Sequence, residues 1–472
     1  MNTYEEAFKG LNGAQKQAVT TIDGPVLVIA GPGTGKTQLL GVRVAHILQK
    51  TDTAPQNILC LTFTENGAEN MRERLTRFIG RHAYDIKIGT YHGFGSDLIR
   101  RFPEAFAETR LQVPADELTK RQILRGIVEN LSYHNPIKQL HHHLGDLIGT
   151  ISEVKRALLD AESLRAIASE NNTFLVFANS EVQTIFADVG KMPTTAAKSL
   201  LLFEPLLGAL QKLVPKDPVH PRFGSLAGVA TTQLQQAVTE AQQTNKSTPL
   251  TAWKKEWLEK DADNNFVFGG SLKNRRIESL ASVFEQYQEA LALNGWYDFD
   301  DMIIRAIQAL ETHPELRYSL QEQYLYILLD EFQDTNAAQL RLVQLLSDNP
   351  VHEGRPNVLA VGDDDQAIYA FQGAQYSNML DFYRMYRDVK VVSLTENYRS
   401  STDILTTARN ISTQIEARLE KHFEAMSKDL VAANSRLAAR TELERCEFLS
   451  DVAQYDWIAQ QIKKRIDSGT SP

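Results

Sequence analysis

The chain has 472 residues, 43% hydrophobic and 23% charged, with a formal net charge of −9. That length exceeds one compact domain and points to about two to four, and the acidic balance excludes nucleic-acid binding by bulk electrostatics, leaving only a local groove with stacking aromatics. No run approaches the ~18 apolar residues of a membrane span, the Met1-Asn2-Thr3-Tyr4-Glu5-Glu6 start lacks the regions of a signal peptide, and two distant cysteines, Cys60 and Cys446, exclude a disulfide framework or a four-cysteine metal site, so a cytoplasmic home is expected.

In chain order, Leu11-Asn12-Gly13-Ala14-Gln15 precedes a short buried strand, Pro25 to Ile29. Ala30-Gly31-Pro32-Gly33-Thr34-Gly35-Lys36-Thr37 follows, and then a helix from Gln38 to Gln49. Strand, glycine-rich turn, Lys-Thr and helix form the context of a phosphate-binding loop. Glycines let backbone N–H groups turn inward as an anion nest, and the helix N-terminus adds positive potential. Lys36 is placed to reach the β- and γ-phosphates and Thr37 to offer a hydroxyl to Mg²⁺. Strands at Ile58–Phe63 and Ile86–Gly89 alternate with helices at Ala68–Ile79 and up to Phe102, the pattern of a parallel, doubly wound sheet.

The alternation stops near residue 103. Residues 103–295 read as helical, for example Leu118–Leu131, Leu144–Leu159 and Leu272–Leu293, whereas Thr231–Thr248 fits an exposed helix or a mobile loop equally. Strands return at Tyr324–Leu329, Asn357–Val361 and Val389–Leu394. The expected organisation is therefore one α/β domain in two pieces, 1–102 and 296–395, interrupted by an all-helical insertion at 103–295. Residues 396–472, with a helix through Thr402–Ile415, a short strand at Arg445–Phe448 and a helix at Tyr455–Ile466, read as the opening of a second αβ domain.

The run Leu328-Leu329-Asp330-Glu331-Phe332-Gln333-Asp334-Thr335-Asn336 puts two carboxylates where an apolar strand leaves the core. Such a pair also suits a solvated turn, but beside a phosphate loop Asp330 is suited to hold Mg²⁺ and Glu331 to orient or deprotonate water. Together they indicate an ATP or GTP hydrolase. Gln366, in Val361-Gly362-Asp363-Asp364-Asp365-Gln366, lies where strand ends converge on a nucleotide and can sense a γ-phosphate. Tyr398 offers a face to a purine, Arg399 a fork to a phosphate, and Gln15 both a donor and an acceptor for an adenine edge. His141-His142-His143 favours an exposed helix face over a metal site, because consecutive helical residues diverge.

Taken together, these residues resemble the superfamily-one DNA helicases of the UvrD, Rep and PcrA group. The resemblance rests on Leu11-Asn12…Gln15, Ala30 to Thr37, Thr62-Phe63-Thr64…Ala68…Met71…Arg74, Gly89-Thr90-Tyr91-His92-Gly93-Phe94, Tyr297-Asp298-Phe299-Asp300-Asp301, Asp330 to Asn336, Gly362 to Ala374 and Asn397 to Ser400, in family order. It implies a RecA-like P-loop NTPase fold and ATP-driven 3′–5′ movement on single-stranded DNA or DNA with a 3′ single-stranded tail. It also implies that Ala30 to Gln38, Gln15 and Tyr398 hold ATP, that Thr37 and Asp330 hold Mg²⁺, and that Lys36, Glu331, Gln366 and Arg399 carry the hydrolysis. Phe63, Thr64, Tyr91, His92 and Phe371 would line the DNA path, with plain core roles as the alternative for Phe63 and Phe371. Stacking on aromatics contributes about 1–3 kcal/mol per base and tolerates any sequence.

The chain departs from the family at Glu65-Asn66, at Gln372 of Phe371-Gln372-Gly373 and at Gln38, each a position where a cation is common. The long insertion is nearer to the RecB or AddA-like helicase–nuclease branch, and no nuclease constellation is present. Three readings stay open: the N-terminal portion of a helicase acting in DNA repair or replication, the motor of a helicase–nuclease, or a nucleotide- and DNA-binding module without motor activity.

Overall fold

The structure is a computed structural model that describes residues 4–106, 112–138, 144–187, 189, 193–220, 224–367, 377–415, 418–421, 423, 427–434 and 443–470. Six strands form its main sheet: β1 (Val26–Ala30), β2 (Ile58–Thr62), β3 (Lys87–Thr90), β4 (Tyr326–Leu329), β5 (Val358–Gly362) and β6 (Lys390–Leu394). Their spatial order is β6-β1-β5-β4-β2-β3, and every neighbouring pair is parallel. The fold is mixed α/β of the RecA-like kind.

Burial explains why the strands read as they do. The inner strands β1, β2, β4 and β5 are buried at every residue, so helices cover both faces and the sequence runs continuously apolar. The edge strands β3 and β6 are buried only intermittently. Side-chain alternation divides the inner strands between two cores. Leu27, Ile29, Leu59, Leu61, Ile327 and Leu329 face one, packed under Phe94, Ile303 and Leu342. Val26, Val28, Ile58, Cys60 and Leu328 face the other, against Leu40, Val44 and Leu75. Parallel strands send all their C-terminal ends to one edge, and Gly31–Thr37, Phe63–Thr64, Tyr91–Phe94, Asp330–Asn336 and Asp363–Gln366 each follow a strand at that edge.

Helices at Glu117–Asn130, Leu144–Arg156, Ala161–Phe186, Ala196–Leu213, Leu226–Thr244, Thr248–Trp257 and Ser271–Leu293 make up most of the intervening segment. The Gln/Thr-rich stretch is thus a helix, Leu226–Thr244, whose Ala230, Leu234, Val238 and Ala241 are buried at helical spacing beneath its polar residues. The segment is not purely helical. Leu258–Lys260 pairs antiparallel with Phe266–Phe268, because the polar turn between them, with Asn264 at φ 63°, reverses the chain and lets Phe266 and Phe268 reach the core. The segment's two ends meet where Val113–Pro114 runs beside Trp296–Tyr297.

Arg445–Phe448 forms no strand. No ladder joins it to another described segment, and β-propensity alone does not make one. The helix Asp451–Asp467 that follows has no buried residue. No helix among the described residues is long and apolar enough to cross a membrane. His141, His142 and His143 lie outside the described residues.

A buried charge cluster fastens the helical segment to the sheet-bearing part. Lys155 Nζ lies 2.7 Å from Asp301 Oδ1 and also bonds Asp298, while Arg156 Nε meets Asp300 Oδ1 at 2.8 Å. Asp298 and Asp301 accept each other's backbone N–H. Lys155 is 2% exposed, so its removal would leave two carboxylates buried without a cation. Lys155→Met is expected to destabilise the protein by about 3–5 kcal/mol, with Asp298→Asn in the same background recovering part of the loss. Denaturant unfolding of the two variants measures both, and an unchanged midpoint for Lys155→Met would refute the assignment.

Candidate nucleotide-binding site

The loop after β1 has the shape that its glycines permit. Gly33 and Gly35 sit at φ 74° and 88°, in the left-handed region. A Cβ at Gly33 would stand 2.7 Å from Asn397 Nδ2 and from the Cβ of Arg399. Thr34 Oγ1 donates to the Gly31 carbonyl at 2.8 Å and closes the curl. The helix Lys36–Lys50 then opens from Gly35 with no side-chain cap, so its first N–H groups face the loop as an open anion site.

Gln15 braces this loop from outside. Its Nε2 donates to the Thr34 carbonyl at 2.8 Å, and its Oε1 accepts the Asn12 N–H at 3.1 Å in a capping box. Each end of the amide keeps one further hydrogen-bonding valence. On the opposite side, the turn after β6 is tied to the same loop: Tyr398 N–H donates to the Gly33 carbonyl at 2.9 Å, and Asn397 Nδ2 donates to the Pro32 carbonyl. The Tyr398 hydroxyl donates to Glu396 Oε2 at 2.8 Å and accepts from Asn12 Nδ2 at 3.1 Å, which leaves its ring 39% exposed between the two flanks. Arg399 is exposed and Gln38 half-buried, as is Thr37.

The acidic end of β4 faces the loop. Lys36 Nζ lies 2.9 Å from Glu331 Oε2. Glu331 occupies φ 46°, ψ 47°, a left-handed conformation that a residue with a Cβ adopts only at an energetic cost. Gln333 Nε2 donates to the same Glu331 oxygen at 2.9 Å, and Gln333 Oε1 accepts the Asp363 N–H at 3.0 Å. Asp363 Oδ2 in turn accepts from Gln366 Nε2 at 2.7 Å. Sequence reasoning gave Gln333 no role, although an amide set between two acids is a signal for such a bridge. A cleft of about 410 Å³ opens among Phe63, Thr64, Glu331, Gln333, Asp334 and Gln366.

Burial raises the Asp330 carboxyl to about 6, with the charge of Glu331 adding to the effect and Lys36 opposing it. Asp334 is raised to about 6 for the same reasons, and its Oδ1 is buried with no hydrogen-bond partner. Concentrated, under-neutralised oxygen donors of this kind suit a hard cation such as Mg²⁺.

The aromatic residues divide. Phe63 is half-buried at the cleft, and Thr64 is exposed, with Oγ1 accepting the Gly67 N–H at 3.0 Å as a helix cap. Tyr91 is a correction: it is 1% exposed, within the core beside Phe94 and Leu98, so no base can stack on it without opening that core. His92 is half-buried and stacked on Phe299 with ring centroids 3.9 Å apart. Burial pushes its imidazole down to about 4 against the pull of Asp300, so it is neutral at pH 7. The exposed ring of that pair is Phe299, at 53%, a residue the sequence reading quoted without a role. Glu65 accepts from the Thr90 hydroxyl at 2.8 Å. Phe371, with Gln372 and Gly373, lies outside the described residues.

The profile described as UvrD/REP helicase N-terminal domain matches residues 11–387. The chain belongs to the UvrD/REP helicase family. Proteins named ATP-dependent DNA helicase PcrA are similar over most of its length. That of Staphylococcus epidermidis is 27% identical over 463 residues, 98% of this chain and 46% of the relative. Those of Staphylococcus aureus and Leuconostoc citreum are 27% identical over 445 residues and 26% over 420, covering 44% and 41% of those relatives. This UvrD/REP-family chain thus spans less than half the length of the curated relatives it matches.

The raised Asp330 gives a signed pH test. A carboxyl held above its usual value near 4 stabilises the fold below that value, and the contribution is lost as pH rises through about 6. In nucleotide-free protein, Asp330→Asn is expected to gain about 2–3 kcal/mol at pH 7 and roughly half that at pH 5. Denaturant titration at the two pH values measures this, and a gain independent of pH would contradict the assignment.

Proposed function

We propose that the chain is the ATP-binding motor portion of an ATP-dependent DNA helicase or translocase that moves 3′–5′ on single-stranded DNA or on DNA with a 3′ single-stranded tail, in cytoplasmic DNA repair or replication. The observation that carries this reading is the approach of Lys36 to Glu331 at 2.9 Å across the mouth of the phosphate loop. It brings a phosphate-binding cation and a water-activating carboxylate to one place. The divisions at 102/103, 295/296 and 395/396 belong to the same reading.

When nucleotide enters, its phosphates compete with Glu331 for Lys36. Lys36 transfers its charge to the β- and γ-phosphates, and Glu331 is released to orient the attacking water and accept its proton. Bound Mg²⁺, held through Thr37 and Asp330, supplies charge neutralisation at the phosphates. Gln366 and Arg399 contact the γ-phosphate, Tyr398 stacks on the base, and Gln15 uses its spare valences on the adenine edge. This division of labour relies on positioning and charge stabilisation, which dominate phosphoryl transfer. For DNA, Phe63 and Thr64 at the cleft, with Phe371, supply contacts that do not depend on a basic surface.

Lys36→Ala and Glu331→Gln are each expected to lower DNA-stimulated ATP hydrolysis by the full-length protein about 10²–10³-fold. Glu331→Gln should retain ATP binding, because the amide removes the base without crowding the phosphates. Steady-state hydrolysis with nucleotide-binding titrations distinguishes the two variants. Unchanged turnover in either would overturn the site, and hydrolysis indifferent to single-stranded DNA would favour a nucleotide-binding module instead.

A further inference from the structure

Residues 418–421 and 427–432 have no role in the reading above, yet they touch three sides of the cleft. Leu430 lies against the phosphate loop, so close that a Cβ at Gly31 would meet its Cδ1 at 2.9 Å. Val431–Ala432 pairs with Glu396–Asn397, next to the Tyr398 turn. The third contact is ionic. Arg418 grips Asp365 with two parallel bonds, Nε to Oδ1 at 2.8 Å and Nη2 to Oδ2 at 2.6 Å, while Leu419 N–H donates to Asp364 Oδ2 at 2.9 Å.

Lys428 completes that contact. Its Nζ lies 2.8 Å from Asp363 Oδ1, 2.6 Å from Asp364 Oδ1 and 3.0 Å from Asp365 Oδ1. The three aspartates form the grouping with metal-ligand spacing among the described residues, and a lysine ammonium stands at its centre. Asp363 and Asp364 are 2% and 7% exposed, so their charges depend on this cation. Asp363 is also the residue whose other oxygen holds Gln366 Nε2, and whose N–H is held by Gln333. Lys428 is therefore two bonds from Gln366 and sits at the far end of a continuous chain running Lys36, Glu331, Gln333, Asp363.

We propose that Lys428 is a positioning residue for ATP recognition: by pinning Asp363 it sets the Gln366 amide toward the γ-phosphate. The inference rests on the nucleotide-site reading and adds to it the element that makes the cleft distinguish ATP from ADP. ADP lacks the group that Gln366 addresses, so losing the pin affects the two nucleotides unequally. A purely structural lysine would affect them alike.

The test uses the 472-residue chain with Mg²⁺, titrated with a fluorescent non-hydrolysable ATP analogue and, separately, with ADP. K428M is expected to weaken the ATP analogue about tenfold, the scale of one charge-assisted hydrogen bond, and ADP less than twofold, with K428R recovering most of the loss. Equal weakening of both nucleotides, or of neither, in folded K428M overturns the proposal. Should K428M fail to fold, D364N/K428M removes the excess buried charge while keeping an oxygen for Leu419 N–H. The same ATP-selective loss is then expected, and its absence overturns the proposal. Wild-type chain that binds neither nucleotide overturns the underlying site reading instead, a separate outcome.

Discussion

The ion pair between Lys36 and Glu331 is the contact on which the site's organisation depends. It crosses from the end of β1 to the end of β4, two strands that are not neighbours in the sheet, since β5 runs between them. Gln333 spans that gap by donating to Glu331 and accepting from Asp363 at the end of β5. Three strand ends are thereby joined by side chains rather than by the ladder. The open helix N-terminus and the glycine-rich turn concentrate positive potential on one side, and Asp330, Glu331 and Asp334 concentrate negative charge on the other. The two sides neutralise each other through the Lys36–Glu331 pair.

Energetically costly features gather where the chemistry is expected. Glu331 is left-handed, Asp334 Oδ1 is buried without a partner, and Asp330 is held well above its usual range by burial. These features persist because the strands beneath them are buried at every residue and leave the chain no alternative path. Two buried lysines away from the Lys36–Glu331 pair are compensated by carboxylates. Lys155 meets Asp298 and Asp301, and Lys428 meets three aspartates at once. Both lysines lie where a second part of the chain is fastened to the sheet-bearing part.

Much of this was legible in the sequence because it is local. The phosphate loop is eight consecutive residues between a strand and a helix, and its curl follows from where glycines fall. The inner strands announced themselves as unbroken apolar runs. The Gln/Thr-rich helix Leu226–Thr244 was undecided because its buried residues are mostly alanines, which carry little hydrophobic contrast. The burial of Tyr91 was not legible for a different reason. An aromatic at a strand end looks the same in sequence whether its ring points out or in, and here Tyr91 points into the core.

The sequence by itself determined the class of the sheet and the family, and singled out the groups that gather at the glycine-rich loop, because each is encoded within a few residues and repeats a pattern with a physical cause. Only the tertiary structure decided which of those groups touch. That Lys36 pairs with Glu331, 295 positions away, that Gln15 braces Thr34, and that Lys428 lies among Asp363, Asp364 and Asp365 follow from strand order and from the path of the C-terminal segment. Charge partners are chosen by proximity in space, and no spacing along the chain encodes that proximity.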